Sequence, residues 1–319
     1  MPHLSSPYKA NGLFRNTHFS TIYSAKLRPS PRIVQQRERL ELSDGDFVDI
    51  DWSFSNEPAN KVTILLHGLE GNAQRVYIKG HAKELIINGW DVAAMNHRGC
   101  SGEENRLYIS YNSGRTDDLK SLIDHILALD RYNEIALVGF SLGGNLLLKY
   151  LGEETTIPKI VTKGVAVSAP LNLAGSLQAL ETKENWVYRT SFLQDLRAKY
   201  KRKMMSFPQE MTMDKLKQVR SLLDFDTIYT APAHGFKDAW DYYEKCSSLP
   251  FLPDIKVPVL ILNALNDSFL SKDCYPFSLS EKQKNIYLET PKHGGHVGFH
   301  VTNSTYYSEK RTLGFLNKI

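Results

Sequence analysis

Glu134-Ile135-Ala136-Leu137-Val138-Gly139-Phe140-Ser141-Leu142-Gly143-Gly144-Asn145 decides how the rest of this chain is read. An apolar run climbs to a glycine, a serine and two more glycines. A helical pattern follows at once in Leu146, Leu147, Leu148, Tyr150 and Leu151. The spacing Gly139-x-Ser141-x-Gly143 fits a nucleophile elbow, a sharp strand-to-helix turn with the serine at its tip. A serine held in strained backbone needs neighbours without Cβ atoms, or strand and helix collide. The helix behind it aims free N–H groups at any negative charge that develops there. The same five residues also suit a glycine-rich strand–helix loop that only helps packing, so the flanking sequence must decide.

Upstream, Val62-Thr63-Ile64-Leu65-Leu66 is a short unbroken apolar run suited to a strand buried on both faces, and it ends in His67-Gly68-Leu69-Glu70-Gly71. Residues 75–88 then read as a helix. Asp91 to Asn96 is the next strand, followed by His97-Arg98-Gly99-Cys100-Ser101-Gly102. Leu119, Leu122, Ile123, Ile126 and Leu127 have helical spacing. Before all of these, residues 37–42 and 47–52 alternate around Asp44-Gly45, a hairpin. Downstream come strands over 164–170, 257–264 and 285–289, and a closing helix over 306–316.

A hairpin followed by repeated strand–helix units predicts an α/β fold, a mainly parallel sheet flanked by helices. The core is expected over 37–170 and 253–319. Residues 171–252 hold no apolar strand and are rich in helix formers, charge and aromatics; they read as an inserted helical cap over the ligand site. Residues 1–36, with Pro2, Pro7, Pro29 and Pro31, read as an N-terminal arm containing a short helix over 16–23 capped by Asn or Thr.

The chain has 319 residues, 42% hydrophobic, enough for a large core, and a net charge of +4 that does not imply nucleic acid. Cys100, Cys246 and Cys274 are odd in number and widely spaced, so ordinary thiols are expected, not a disulfide framework or zinc site. Residues 1–16 lack an apolar signal core, and no run approaches the ~18 apolar residues of a membrane span. A soluble cytoplasmic protein is expected, with peripheral membrane contact left open. Arg197, Lys199, Lys201, Arg202 and Lys203 lie in the expected cap. They read as its solvated face, or as a membrane-docking surface beside Met204, Met205 and Phe207. Trp186, Tyr188, Phe192, Trp240, Tyr242 and Tyr243 divide evenly between pocket wall and cap core.

A serine hydroxyl needs a base, a group that orients the base, and donors for the oxyanion. In such folds the order is serine, acid, histidine, each past a later strand. Asp267 follows the strand Val259 to Leu262 and is the acid candidate; Asp273 is the fallback. His296, behind Gly294-Gly295, is the base candidate, with His293 and His300 as surface or packing residues. The oxyanion donors are expected to be the backbone N–H groups of Leu142 and Leu69. His67 reads as structural, Arg98 as a loop-holding cation, and Cys100 as lacking a cationic neighbour that would activate it.

Taken together, these motifs resemble the α/β-hydrolase superfamily, and within it the YheT-like hydrolases, which include abhydrolase-domain esterases and lipases. The resemblance runs over nearly the whole chain. It is carried by residues 15–22, His67-Gly68-Leu69-Glu70-Gly71, residues 96–102, Gly139 to Asn145, and His293-Gly294-Gly295-His296-Val297-Gly298-Phe299. It implies a Ser141–His296–Asp267 charge relay, and a carboxylesterase or acylglycerol lipase-like activity on a small or lipid ester, with no metal or organic cofactor. Acyl transfer or thioester release by the same residues, or a non-catalytic ligand-binding role, are the alternatives. Such enzymes often carry a proline after the aspartate; Ser268-Phe269 stands there instead, so a differently shaped acid loop is expected.

Overall fold

The structure, a computed structural model, describes residues 3–318; Met1 and Pro2, the start of the expected arm, and Ile319 lie outside the described residues. Among those residues nine strands join in one sheet, ordered β1-β9-β8-β7-β6-β4-β5-β3-β2. They are β1 (His3–Leu4), β2 (Gln36–Glu41), β3 (Phe47–Ser53), β4 (Lys61–Leu66), β5 (Asp91–Asn96), β6 (Glu134–Phe140), β7 (Val161–Val167), β8 (Val259–Leu262) and β9 (Ile286–Glu289). Every pairing is parallel except β2 with β3 and β3 with β5. The hairpin turn follows the sequence reading, with Gly45 at φ +84°. The two-residue strand β1 was not legible in the sequence. It is too short to show alternation, and its parallel pairing with β9 is a contact across the whole chain.

The sheet separates two apolar layers. On one face Leu119, Ile123 and Ile126 of the helix Asp117–Ala128 and Leu147 and Leu151 of the helix Leu142–Glu153 pack with Ile64, Leu137 and Ile261. On the other, Ile78 and Leu85 of the helix Val76–Ile87 and Phe315 of the helix Tyr307–Lys318 pack with Val138, Val165 and Leu260. Strands apolar on both faces are what a sheet covered on both sides requires.

Between β7 and β8 the chain is helical: Leu173–Leu180, Trp186–Lys203, Met213–Gln218, Leu222–Phe225, Ala239–Cys246 and shorter turns. These pack around a third cluster of Leu177, Leu196, Tyr200, Phe225, Tyr229 and Tyr243, against which Leu69 and Tyr108 of the sheet loops also rest. Among the described residues no helix is long and apolar enough to cross a membrane.

Candidate active site

The tip of the elbow is strained. Ser141 sits at φ +52°, ψ −122°, a conformation costing on the order of 1–3 kcal/mol outside glycine. Its surroundings hold it there. The Ser141 amide donates to the Val167 carbonyl at 2.9 Å, and the Ser141 carbonyl accepts from Gly144 and Asn145 at 2.8 and 3.1 Å. The flanking glycines are steric necessities. A Cβ on Gly139 would fall 2.2 Å from the Gly143 carbonyl oxygen, and one on Gly143 would fall 2.3 Å from that of Leu66. The elbow is therefore wedged between its own helix and β4. Asn145, buried one turn into the helix, donates to the carbonyls of Ser113 and Cys246 and accepts from Ser248 N–H at 2.8 Å, tying the elbow to the helical insert.

Asp267 lies just past β8 and His296 past β9. His296 Nδ1 stands 2.9 Å from Asp267 Oδ2, with the carboxylate fully buried and the imidazole 10% exposed. The other carboxylate oxygen accepts the Phe269 N–H at 3.0 Å. A carboxylate so placed accepts a hydrogen bond from Nδ1–H, which leaves Nε2 as a proton acceptor. Phe269 itself stacks on the imidazole, 4.1 Å between centroids at 24°. The acid loop, with Ser268 after the aspartate instead of a proline, thus brings Phe269 to brace the imidazole.

The histidine loop is also held from the N-terminal arm. Thr21 Oγ1 accepts the His296 N–H at 2.9 Å, and Ser20 Oγ donates to the Gly294 carbonyl at 3.0 Å. Asn266 bridges, accepting from Gly295 N–H and donating to the Arg15 carbonyl, both at 3.1 Å. Ser168, past β7, accepts the Val297 N–H at 3.0 Å. Val297 and Phe299 have φ of +55° and +50°, so the loop is kinked and needs these ties. The arm helix Thr17–Ile22 starts at Asn16, whose side chain accepts the Phe19 N–H at 2.9 Å, the cap expected from sequence.

Past β4, the loop His67 to Gly71 presses against the elbow: a Cβ on Gly68 would lie 3.1 Å from that of Ser141. Its amides are largely engaged. Gly68 N–H donates to Tyr77 Oη at 3.1 Å, Glu70 N–H to Tyr111 Oη at 2.8 Å, and Gly71 N–H to the Gly68 carbonyl at 3.0 Å. Among the described residues the Leu69 N–H has no protein acceptor, nor has Leu142 N–H in the first turn of its helix. Glu70, at φ +48°, is fixed on several sides: its carboxylate accepts from Tyr111 Oη at 2.6 Å and from Lys199 Nζ at 3.0 Å, and its carbonyl from Arg75 at 2.7 Å.

That contact corrects part of the reading of the basic run as a solvated face, although Lys201 and Arg202 are exposed. Lys199 and Lys203 are buried, Lys203 donating to Asn105 Oδ1 at 2.7 Å, and Arg202 pairs with Glu104 at 2.6 Å. Their carboxylate and amide partners sit in the sheet loops, far away in sequence, which is why the run alone misled. Cys100 likewise does have a cationic neighbour, Lys199 Nζ at 3.3 Å. Burial nevertheless pushes its thiol up to about 12, so it is not an activated thiolate.

The remaining candidates lie apart. Asp273 is exposed and accepts from Asn172 at 2.8 Å. His300 stacks on Phe14, centroids 3.6 Å apart, and His293 is half-buried. His67 donates from Nδ1 to the Gly68 carbonyl at 2.7 Å and accepts the His97 N–H at 3.1 Å, a structural role. Burial holds both rings neutral, His97 down at about 4. Arg98 is buried among Asp118, Asp44 and Asp46, with contacts of 2.6, 2.8 and 3.1 Å. Of the aromatic residues, Phe192, Tyr242 and Tyr243 line a cavity, whereas Trp186 and Trp240 are exposed.

Ser141 and His296 line the same two cavities, along with Leu69, Phe192 and Phe269. One, about 140 Å³, runs under the helical insert among Leu177, Leu196, Leu222, Phe225 and Tyr229. The other, about 270 Å³, lies between the N-terminal arm and the helix Trp186–Lys203, along Ile22, Tyr77, Val187 and Tyr188.

Sheet order, elbow and the hydrogen-bonded Asp267–His296 pair define an α/β hydrolase. Residues 61–302 match the family model described as alpha/beta hydrolase fold, and the chain belongs to that family. Within it the chain falls with the YheT-like branch: it is 36% identical to "Putative esterase YheT" of Escherichia coli (strain K12), covering 90% of this chain and 85% of that one. It is 29% identical to "Phospholipase ABHD3" of Mus musculus, over 86% of this chain and 69% of the relative. Among solved structures, the Pyrococcus furiosus esterase Pf2001 superposes with a TM-score of 0.60 at 15% identity, covering 99% of this chain and 98% of that chain, a likeness of fold.

Proposed function

We propose that this protein is a serine carboxylester hydrolase working through an acyl-enzyme. The observation that carries the reading is the 2.9 Å contact between His296 and a fully buried Asp267, with the imidazole in the same cavities as the strained Ser141. Relatives named esterase and phospholipase support the same chemistry.

In this reading His296 Nε2 takes the Ser141 proton as Oγ attacks the ester carbonyl carbon. The carbonyl oxygen becomes an oxyanion and accepts from the Leu69 and Leu142 amides, which are fixed before charge develops. Asp267 holds the ring in its Nδ1–H tautomer and stabilises the imidazolium. The imidazolium returns its proton to the departing alkoxide, giving the alcohol and an acylated Ser141. Water, deprotonated by His296, attacks the acyl carbon and releases the acid. The insert over 171–252 serves as the cap that keeps bulk water from the acyl-enzyme.

Turnover of p-nitrophenyl butyrate and labelling by a fluorophosphonate test this. Ser141→Ala is expected to lower kcat by at least about 10⁴-fold and to abolish labelling. Equal rates, or labelling that survives the substitution, overturn the assignment.

A further inference from the structure

The cavity under the insert is lined by the carboxylate or basic side chains Glu70, Lys199, His296 and Asp226. The first three have partners of opposite charge. Glu70 and Lys199 face each other at 3.0 Å, and His296 faces Asp267 at 2.9 Å. Asp226 has no such partner among the described residues. Its two oxygens accept from Thr230 Oγ1 and Tyr243 Oη, each at 2.6 Å, and both donors are neutral hydroxyls. An ionised carboxylate offers about four lone-pair sites, so two hydroxyls leave it half satisfied. Burial raises its carboxyl to about 6, which still leaves an anion at neutral pH.

A carboxylate held away from water without a counter-charge destabilises the fold that contains it. The local backbone is equally unusual. Asp226 opens a π-helical turn, Asp226–Thr230, and such turns are rare and frequent at functional sites. Phe225, Tyr229, Tyr242 and Tyr243 are buried and line the same cavity. The faces of aromatic rings attract cations, so the wall around Asp226 suits a positive charge on both counts.

We propose that Asp226 is the recognition group for a protonated amine, and that the substrate is an ester carrying such an amine on its non-reacting end. The N–H groups of the ammonium fill the open lone pairs of the carboxylate, and its charge is the counter-ion that the insert lacks. The cavity of about 140 Å³ sets the scale. Benzene fills a cavity of about 150 Å³, so about six non-hydrogen atoms fit, and the amine stands a few methylenes from the ester carbonyl. The amine site stands on the cavity itself; the substrate class rests on the hydrolase reading above.

The site is tested without turnover. Pentylammonium chloride and 1-pentanol match in size and differ in charge, and each is titrated calorimetrically into Ser141→Ala protein at neutral pH. The ammonium is expected to bind at least about tenfold more tightly, as a charge-assisted hydrogen bond requires, and to lose about that factor in Ser141→Ala/Asp226→Asn. Should Asp226→Asn not fold, Asp226→Leu/Thr230→Val/Tyr243→Phe takes its place, because it replaces the carboxylate and both donors together by apolar groups. Equal affinities for the two probes, or a preference that survives these substitutions, overturn the site. The substrate class is tested by kcat/KM of the wild type on isosteric pairs charged on either side of the ester: ethyl 4-(dimethylamino)butanoate against ethyl 5-methylhexanoate, and 2-(dimethylamino)ethyl butyrate against 3-methylbutyl butyrate. In one pair the amine is expected to be preferred by at least about tenfold, and Asp226→Asn to lose about that factor. No preference in either pair overturns the substrate class. Failure of the hydrolase reading looks different: Ser141→Ala then turns over these esters as fast as wild type, while the calorimetric preference for the ammonium stands.

Discussion

Asp267→Asn isolates the orientation of the base from its presence. The carboxylate has two separate partners: Oδ1 takes the Phe269 N–H at 3.0 Å and Oδ2 faces His296 Nδ1 at 2.9 Å. An amide has one acceptor and one donor for these two places. If its oxygen keeps the Phe269 N–H, its NH₂ faces the imidazole and forces the proton onto Nε2. The ring then cannot accept the Ser141 proton, a loss of about 10⁴ in kcat. If the amide flips, the tautomer is right but the buried Phe269 N–H loses its partner and meets an NH₂, costing about 1–3 kcal/mol or more. That route keeps only a small fraction of molecules competent, and they lack the charge that stabilises an imidazolium. The expected fall is between about 10³ and 10⁴ in kcat, with KM little changed. The assay is p-nitrophenyl butyrate hydrolysis, with thermal unfolding and near-ultraviolet circular dichroism to show an intact fold. A folded Asp267→Asn enzyme losing less than tenfold would refute the reasoning, because Asp267 would then not set the tautomer.

Three further outcomes follow from the packing. Gly143→Ala drives a Cβ into the Leu66 carbonyl oxygen, backbone that cannot swing away, and is expected to cost about 3 kcal/mol or more in urea unfolding; a change under 1 kcal/mol would contradict the wedge. Lys199→Met strands the buried Glu70 carboxylate and is expected to lose about 3–5 kcal/mol, with Lys199→Met/Glu70→Gln recovering part of it; a single variant as stable as wild type would show the pair to be incidental. His97 and His234 are both held down at about 4 by burial, so each contributes stability that is whole above about pH 6.5 and is lost as pH falls toward 4. The urea midpoint is expected to be lower at pH 5 than at pH 7, and a His97→Gln variant should show a shallower fall.

How much was legible beforehand depended on the range of the interactions. The elbow declares itself because strand, serine, glycines and helix are contiguous, and steric need is written into neighbouring positions. Chain order singled out Asp267 and His296, and the structure brings them into contact across an intervening helix and strand. Ser268-Phe269 showed only as a departure from a proline expected after Asp267, and the stacking of Phe269 on the imidazole could not be read from that departure. The hydroxyls of Ser20, Thr21 and Ser168 carry no periodic or compositional signal, since any loop contains such residues. Lys199 was misread for a related reason: a lysine is exposed unless something buries with it, and Glu70 lies in a different part of the chain.

The ties between Arg15, Ser20 and Thr21 and the loops that carry Asn266 and His296 join segments 251 to 275 residues apart in sequence. During synthesis Ser141 leaves the ribosome well before His296 does. On the hydrolase reading proposed above, competence therefore waits until these distant stretches close on each other. A chain cut short before residue 296 would hold Ser141 with no imidazole beside it, and on that reading would turn over no ester.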